Sequence, residues 1–162
     1  SERVLNKSTV YPSARLIGAY SASESSTNAI GQCEDGEGFV KAIEGVMGFS
    51  GVTPEQISIV KTHGTGTQSN NLAEKTALGN TLKEFVATSY KQKIGHTMGA
   101  SGLLETLLLL DDLKKGVVPA IENRTETDKV YLSEPVSPPE GLILSLAAGM
   151  GNIYSAAILK GL

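Results

Sequence analysis

The stretch ISIVKTHGTGTQSNNLAEKTALGNTL, residues 57–82, decides how the chain is read. Residues 57–62 form a short apolar strand that delivers His63 into a loop of Gly and Thr. Residues 71–84 then suit a helix, with Leu72, Leu78 and Leu82 among its buried positions. A strand, a glycine-rich turn and a helix in succession belong to a layered α/β fold. In an open α/β sheet, ligands bind beyond the carboxyl ends of the strands, where this histidine sits.

The chain's only other histidine, His96, lies in a similar setting, KQKIGHTMGASGLLE at residues 91–105. TSYKQK reads as a short strand and residues 95–102 as a loop. LLETLLLLDDLKKG reads as a largely buried helix closed by Gly116, with lysines in its last turn, where a helix end favours cations. Upstream, ARLIGAYSA at 14–22 is a strand that runs into a polar loop. An amphipathic helix is expected from Gly38 to about Met47, followed by a turn in which Thr53 precedes Pro54 as a cap precedes a first helical residue. LILSLAA and NIYSAAILK flank the turn GMG and predict a closing hairpin. VVPAI and KVYLSEPVSPPEG connect the leucine-rich helix to it. No repeat or linker divides the chain, so residues 1–162 are read as one domain.

Composition narrows the function. The 162 residues carry a formal net charge of −3, 40% apolar and 19% charged residues, and 18 glycines. There is no basic stripe to neutralise phosphates, which argues against a nucleic-acid partner. Cys33 stands alone, so no internal disulfide forms, and its expected role is structural or incidental. SERVLNKSTV lacks the apolar core of a signal peptide, and no apolar run reaches the ~20 residues that span a bilayer. A soluble, cytoplasmic protein without a membrane partner is expected.

Neutral imidazoles in two strand-end loops can donate hydrogen bonds to a carbonyl oxygen that gains negative charge during reaction. Two such donors on one oxygen would stabilise an enolate. Lys91 would set the charge balance, and Glu105 would orient it through a salt bridge. Residue by residue the plainer alternatives stay open: a satisfied loop histidine, a surface lysine, a helix-start carboxylate. GTGT is not a phosphate loop, because no Gly-Lys-Ser/Thr follows. One cysteine and two distant histidines do not match a zinc pattern, and no metal or tightly bound cofactor is expected.

HGTGT at 63–67 and K-x-x-I-G-H-T at 91–97, followed by GASG and Glu105, resemble the C-terminal half of a β-ketoacyl synthase of the thiolase fold. The resemblance extends over IGAYSASES, DGEG and VVPAIEN, and the wording of GTGT and IGHT leans toward modular polyketide-type synthases. It implies a thiolase-like half-domain, a layered mixed β-sheet with helices that lacks its first strand. It also implies a decarboxylative Claisen condensation, in which malonyl on an acyl carrier protein becomes an enolate that attacks an acyl group held on a cysteine. His63 and His96 would bind the malonyl thioester, with Lys91 as the active-site lysine and Glu105 the glutamate associated with it. Thr65 and Thr67 would lie near the carrier's phosphopantetheine arm. The partners implied are the N-terminal half with its nucleophilic cysteine, the acyl carrier protein, and further copies or chains in a homo- or hetero-oligomer.

The chain departs from that pattern in two places. Asn70 and Asn71 stand where the family has Gly-Asp, although Glu74 is kept. LSLAAGMGN at 144–152 replaces roughly Asn-Ser-Phe-Gly-Phe-Gly-Gly-Thr-Asn, so that Ala148 takes the place of a gating phenylalanine; either space opens there or Met150 fills it. The absent first half is expected to leave the central sheet without ladder partners and the leucine-rich helix exposed, and the chain alone is expected to be inactive. Two further readings remain: a non-catalytic pairing subunit or remnant that shapes a synthase partner, and a decarboxylase-only enzyme. A classical thiolase would need a second cysteine, which GMGN does not offer.

Overall fold

In a computed structural model of the chain, residues 12–24, 34–121 and 130–162 are described. Cys33 lies outside them. Five strands form one sheet in the order β1-β5-β4-β2-β3, comprising β1 (Ala14–Ser23), β2 (Ile57–Lys61), β3 (Val86–Thr88), β4 (Leu142–Gly149) and β5 (Ile153–Gly161). β1 pairs antiparallel with β5, and β5 antiparallel with β4, which is the expected hairpin. β4 and β3 each run parallel to β2. The sheet is therefore mixed, and β2 and β4 end on the same side.

The interior strands β5, β4 and β2 each have partners on both sides. The expected loss of ladder partners does not fall on the centre of the sheet; among the described residues β1 has one strand partner, β5, and β3 is met on its outer side by a bridge from Ala87 to Tyr131. β1 is an edge strand because the long β4–β5 hairpin offers it a complementary ladder, a pairing between residues more than a hundred positions apart.

Among the described residues, four α-helices complete the layers: α1 (Glu37–Ser50), α2 (Gln68–Thr81), α3 (Lys91–Ile94) and α4 (Ser101–Lys114). α1 turns Phe39, Ala42, Ile43, Val46 and Met47 inward, at the 3–4-residue spacing of a buried helix face. It ends at Gly51, whose left-handed φ of 65° lets its N–H reach the Met47 carbonyl. α1 and α2 cover one face of the sheet and share its larger core with Val60, Leu144, Tyr154 and Ile158. They approach closely, since a Cβ at Gly36 would sit 2.3 Å from the Ala73 carbonyl oxygen. The opposite face holds a smaller core in which Leu109 and Leu110 of α4 pack on Ile59 and Ile143.

The Thr53–Pro54 turn is as expected: Thr53 caps a single 3-10 turn, Pro54–Gln56, that Pro54 opens. Other expectations change. Lys91, Gln92 and Lys93 lie in α3 and not in a strand, which ends at Thr88. Leu72 is exposed, while Leu78 and Leu82 are buried. The leucine-rich helix is only half covered: α4 buries Ser101, Glu105, Thr106, Leu109 and Leu110, but Leu103 is 70% and Leu107 53% exposed.

Candidate active site

His63 stands two residues beyond the end of β2, after Thr62, whose N–H donates to the Thr88 carbonyl of β3 at 3.0 Å. Glu74, fully buried on α2, anchors the loop that carries it. One carboxylate oxygen accepts the His63 backbone N–H at 2.5 Å; the other accepts Gly64 N at 2.8 Å, Asn70 Nδ2 at 2.7 Å and the Tyr131 hydroxyl at 3.3 Å. Burial pushes the Glu74 carboxyl above its usual range, and the backbone and Asn70 donors oppose that rise. Gly64 has a φ of +59°, and a Cβ there would sit 2.2 Å from Ser89 Oγ. Only glycine makes this turn without displacing Ser89.

Lys91 opens α3, and its ammonium points back beneath His63. It donates to the His63 carbonyl oxygen and to Glu105 Oε1, the latter at 2.7 Å. Glu105, fully buried on α4, is also reached from below by Lys61, whose Nζ lies 3.5 Å from Oε2. The predicted lysine–glutamate pair thus exists, with a second lysine attached.

The two imidazoles come together with ring centroids 5.6 Å apart and planes at 79°. His63 is 3% exposed. Burial, then the nearby Lys91, Lys61 and His96 charges, hold its pKa down at about 3, so the ring is neutral near pH 7. His96 is exposed. Its Nδ1 accepts the Met98 backbone N–H at 3.1 Å and meets Ser101 Oγ at 2.9 Å. Met98 has a left-handed φ of 54°, uncommon for a side chain of this size, and this bend presents its N–H to the ring. With Nδ1 an acceptor, a neutral His96 carries its hydrogen on Nε2 and offers that hydrogen to a ligand. On His63, Nδ1 is buried without a hydrogen-bond partner.

All four residues expected at the centre, His63, His96, Lys91 and Glu105, therefore meet at the carboxyl ends of the parallel strands. Thr65 and Thr67 lie farther along the first loop, with their hydroxyls 3.3 Å apart and Thr67 exposed. The turn after β4 stands at the same end, where a Cβ at Gly102 of α4 would touch Ala147 at 3.5 Å. Met150 is 71% exposed and does not fill the space beside Ala148. Lys61 and Ser101 were not among the expected site residues, and Glu74 was noted without a role. Lys61 had a signal: it is the one charge in ISIVK and stands two residues after Ile59, where strand alternation puts it on the same face. Ser101 had a weaker one, standing four residues before Glu105 and so on the same side of a helix.

Among the described residues, no group of three or more His, Cys, Asp or Glu is placed to hold a metal ion. No helix among them is long and apolar enough to cross a membrane.

The family described as "Beta-ketoacyl synthase, C-terminal domain" matches residues 13–125. The ketoacyl synthase alpha subunit of a tetracenomycin polyketide synthase from Streptomyces glaucescens is 29% identical over 134 residues, covering 77% of this chain and 32% of that protein. A 3-oxoacyl-[acyl-carrier-protein] synthase 2 from Vibrio cholerae is 39% identical over 95 residues, covering 56% and 23%. The chain thus spans about a third or less of the length of these curated relatives. A type II polyketide ketosynthase solved with its acyl-carrier protein superimposes with a TM-score of 0.89 over 100% of this chain and 42% of that one, at 21% identity. A ketosynthase from Xenorhabdus doucetiae solved with its chain length factor gives 0.83 over 94% and 40%, at 23% identity. At such identities these two likenesses speak for the fold, and the fold is the thiolase-like one that the motifs implied. The match over residues 13–125, on a mixed sheet with both motif loops at its carboxyl edge, makes this chain a member of the β-ketoacyl synthase family, bearing that family's C-terminal domain.

Proposed function

We propose that residues 1–162 act as one domain supplying the malonyl-decarboxylating side of a β-ketoacyl-[acyl carrier protein] synthase. The thioester carbonyl of a malonyl group on a carrier's phosphopantetheine arm accepts hydrogen bonds from Nε2 of His63 and of His96. As the bond to the carboxylate breaks, its electron pair moves toward the thioester, carbon dioxide leaves, and negative charge develops on the oxygen between the two rings. The enolate carbon then attacks an acyl thioester, whose cysteine comes from the remainder of the synthase. Lys91 and Glu105 keep the His63 carbonyl, and so the ring, in place. Thr65 and Thr67 line the approach of the phosphopantetheine arm. The reaction belongs to the cytoplasm, where acyl carriers are the substrates.

One observation carries this reading: two imidazoles 5.6 Å apart, one kept neutral by burial and the other turned so that Nε2 is its free donor. Preorganised neutral donors stabilise a developing oxyanion without reorganising, and losing one typically costs ~10²–10³ in rate.

The remainder of the synthase is also the partner that suits the exposed leucines of α4. Leu103, Leu104 and Leu107, with Met98 and Ile94 beside His96, form an apolar border to the site. A pairing subunit without chemistry would need the same border, but it would have no use for charged groups buried beneath a neutral histidine. The test is carbon dioxide release from malonyl-acyl carrier protein by the assembled synthase. His63→Ala and His96→Ala should each slow it by about a hundredfold or more; rates within twofold of wild type would exclude the proposal.

A further inference from the structure

The site contains one more buried cation than the proposed chemistry uses. Lys61, the last residue of β2, is fully buried. Its ammonium donates to the Leu146 carbonyl oxygen of β4 at 2.6 Å and lies 3.5 Å from Glu105 Oε2, while Lys91 holds Oε1 at 2.7 Å. One carboxylate is therefore shared between two ammonium groups. A buried charge is costly to desolvate, and an apolar side chain of similar length commonly replaces one with no loss of stability. Ile59, Leu109 and Ile143 already make that side of the sheet apolar. Stability alone gives little reason for a lysine here.

We infer that Lys61 is a positioning residue for the decarboxylation site, acting through Glu105 and the Leu146 carbonyl. Its charge, 3.5 Å from the second oxygen of Glu105 in an ion pair without a hydrogen bond, favours the carboxylate orientation in which Oε1 faces Lys91 and Lys91 stays on the His63 carbonyl. By taking the Leu146 carbonyl it fastens β4 to β2 three residues before the strand ends at Gly149. The residue thus registers the turn beside Ala148 against the histidine loop. This inference rests on the decarboxylation reading above.

The charge of Lys61 is itself sensitive to pH. Burial lowers its pKa to about 8, opposed by Glu105 and Glu74 and aided by Lys91. The ionisable groups around it are Glu105 from α4, Lys91 from α3, Glu74 from α2, and the two imidazoles in the loops. Burial pushes the Glu74 carboxyl up and holds His63 down, so a fall in rate as pH rises through 8 is assigned to the Lys61 proton by its disappearance in Lys61→Met.

The experiment uses the chain assembled with the remainder of its synthase and compares wild type, Lys61→Met and His63→Ala. Carbon dioxide release from malonyl-acyl carrier protein is followed from pH 6.5 to 9.5 (about one and a half units either side of 8), together with thermal melting. Methionine keeps the unbranched stem and leaves Glu105–Lys91 as a matched pair. Lys61→Met should lower the rate at pH 7 by about tenfold or more, which is 1.4 kcal/mol in the barrier. It should abolish the fall above pH 8 and melt no lower than wild type. A wild-type rate and pH profile in Lys61→Met, while His63→Ala is inactive, would overturn this inference and leave the decarboxylation reading standing. A lower melting point with an unchanged pH profile would make Lys61 merely structural and equally overturn it. If His63→Ala retains full activity, the underlying reading fails and this one with it.

Discussion

The two faces of the sheet are finished to different degrees. On one, α1 and α2 close over Val60, Leu144, Tyr154 and Ile158, and every large apolar side chain that α1 turns toward the sheet is buried. On the other, α4 lays Leu109 and Leu110 on Ile59 and Ile143 but leaves Leu103 and Leu107 in solvent, and it buries Glu105 with two lysines beneath the histidine loop. The first face is a core in the ordinary sense. The second combines a charged interior with an uncovered apolar exterior, an arrangement suited to a site that a further surface completes. Apolar surface left open on this scale commonly marks an interaction surface.

Matched truncations should expose that difference most strongly. Phe39→Ala, on the finished face, removes a ring in edge-to-face contact with Tyr154 at 4.8 Å. It should cost ~3–5 kcal/mol of unfolding free energy by denaturant titration of the chain. Leu103→Ala and Leu107→Ala should change the chain's own stability by no more than about 0.5 kcal/mol, yet each should weaken assembly with the remainder of a synthase by ~1–3 kcal/mol. If both leucine variants destabilise the chain as Phe39→Ala does, α4 belongs to a finished core and the contrast disappears.

Acid should act through the charged face. The pKa of His63 lies at about 3 in the folded chain against an ordinary 6.5. The unfolded chain therefore binds the proton first, and the stability that a neutral His63 contributes is complete above pH 6.5 and is lost as pH falls toward 3. The loss should reach roughly 3–5 kcal/mol. Replacing His63 with Gln should flatten the stability–pH curve between 6.5 and 4, and an unchanged curve would mean the ring is not held neutral by its burial. A smaller effect is expected at the turn beneath it. Gly64→Ala should destabilise by ~1–3 kcal/mol, from the positive φ and the crowding of Ser89 together, read as a shift in the denaturation midpoint.

How much of this was legible in the sequence follows the same divide. The unit from β2 to α2 could be read because an apolar run, a glycine turn and a helical spacing are local signals, and His63 landed where the end of β2 puts it; His96 instead follows α3. Lys91 and Glu105 were correctly joined. Of the two readings of α4, the largely buried helix holds only on the side of Leu109 and Leu110, while the expected exposure falls on Leu103 and Leu107; leucines on several sides of a helix show that something apolar surrounds it, and not whether that something is in the same chain. KQK was read as strand because three residues carry no period. Lys61 was passed over because a charge at a strand end looks solvated until α3 and α4 are seen to fold over it, a contact made by segments thirty and more residues away. The pairing of β1 with β5 had no local signal at all.

The most direct test isolates decarboxylation from condensation. In the assembled synthase the acyl-bearing cysteine of the remainder is replaced by glutamine, and carbon dioxide release from malonyl-acyl carrier protein is measured with this chain as wild type and as His63→Ala/His96→Ala. Release that persists with the wild-type chain and falls by at least ~10²-fold with the double variant is the predicted result. Equal release from both would contradict the assignment of the two histidines as the groups that stabilise the enolate.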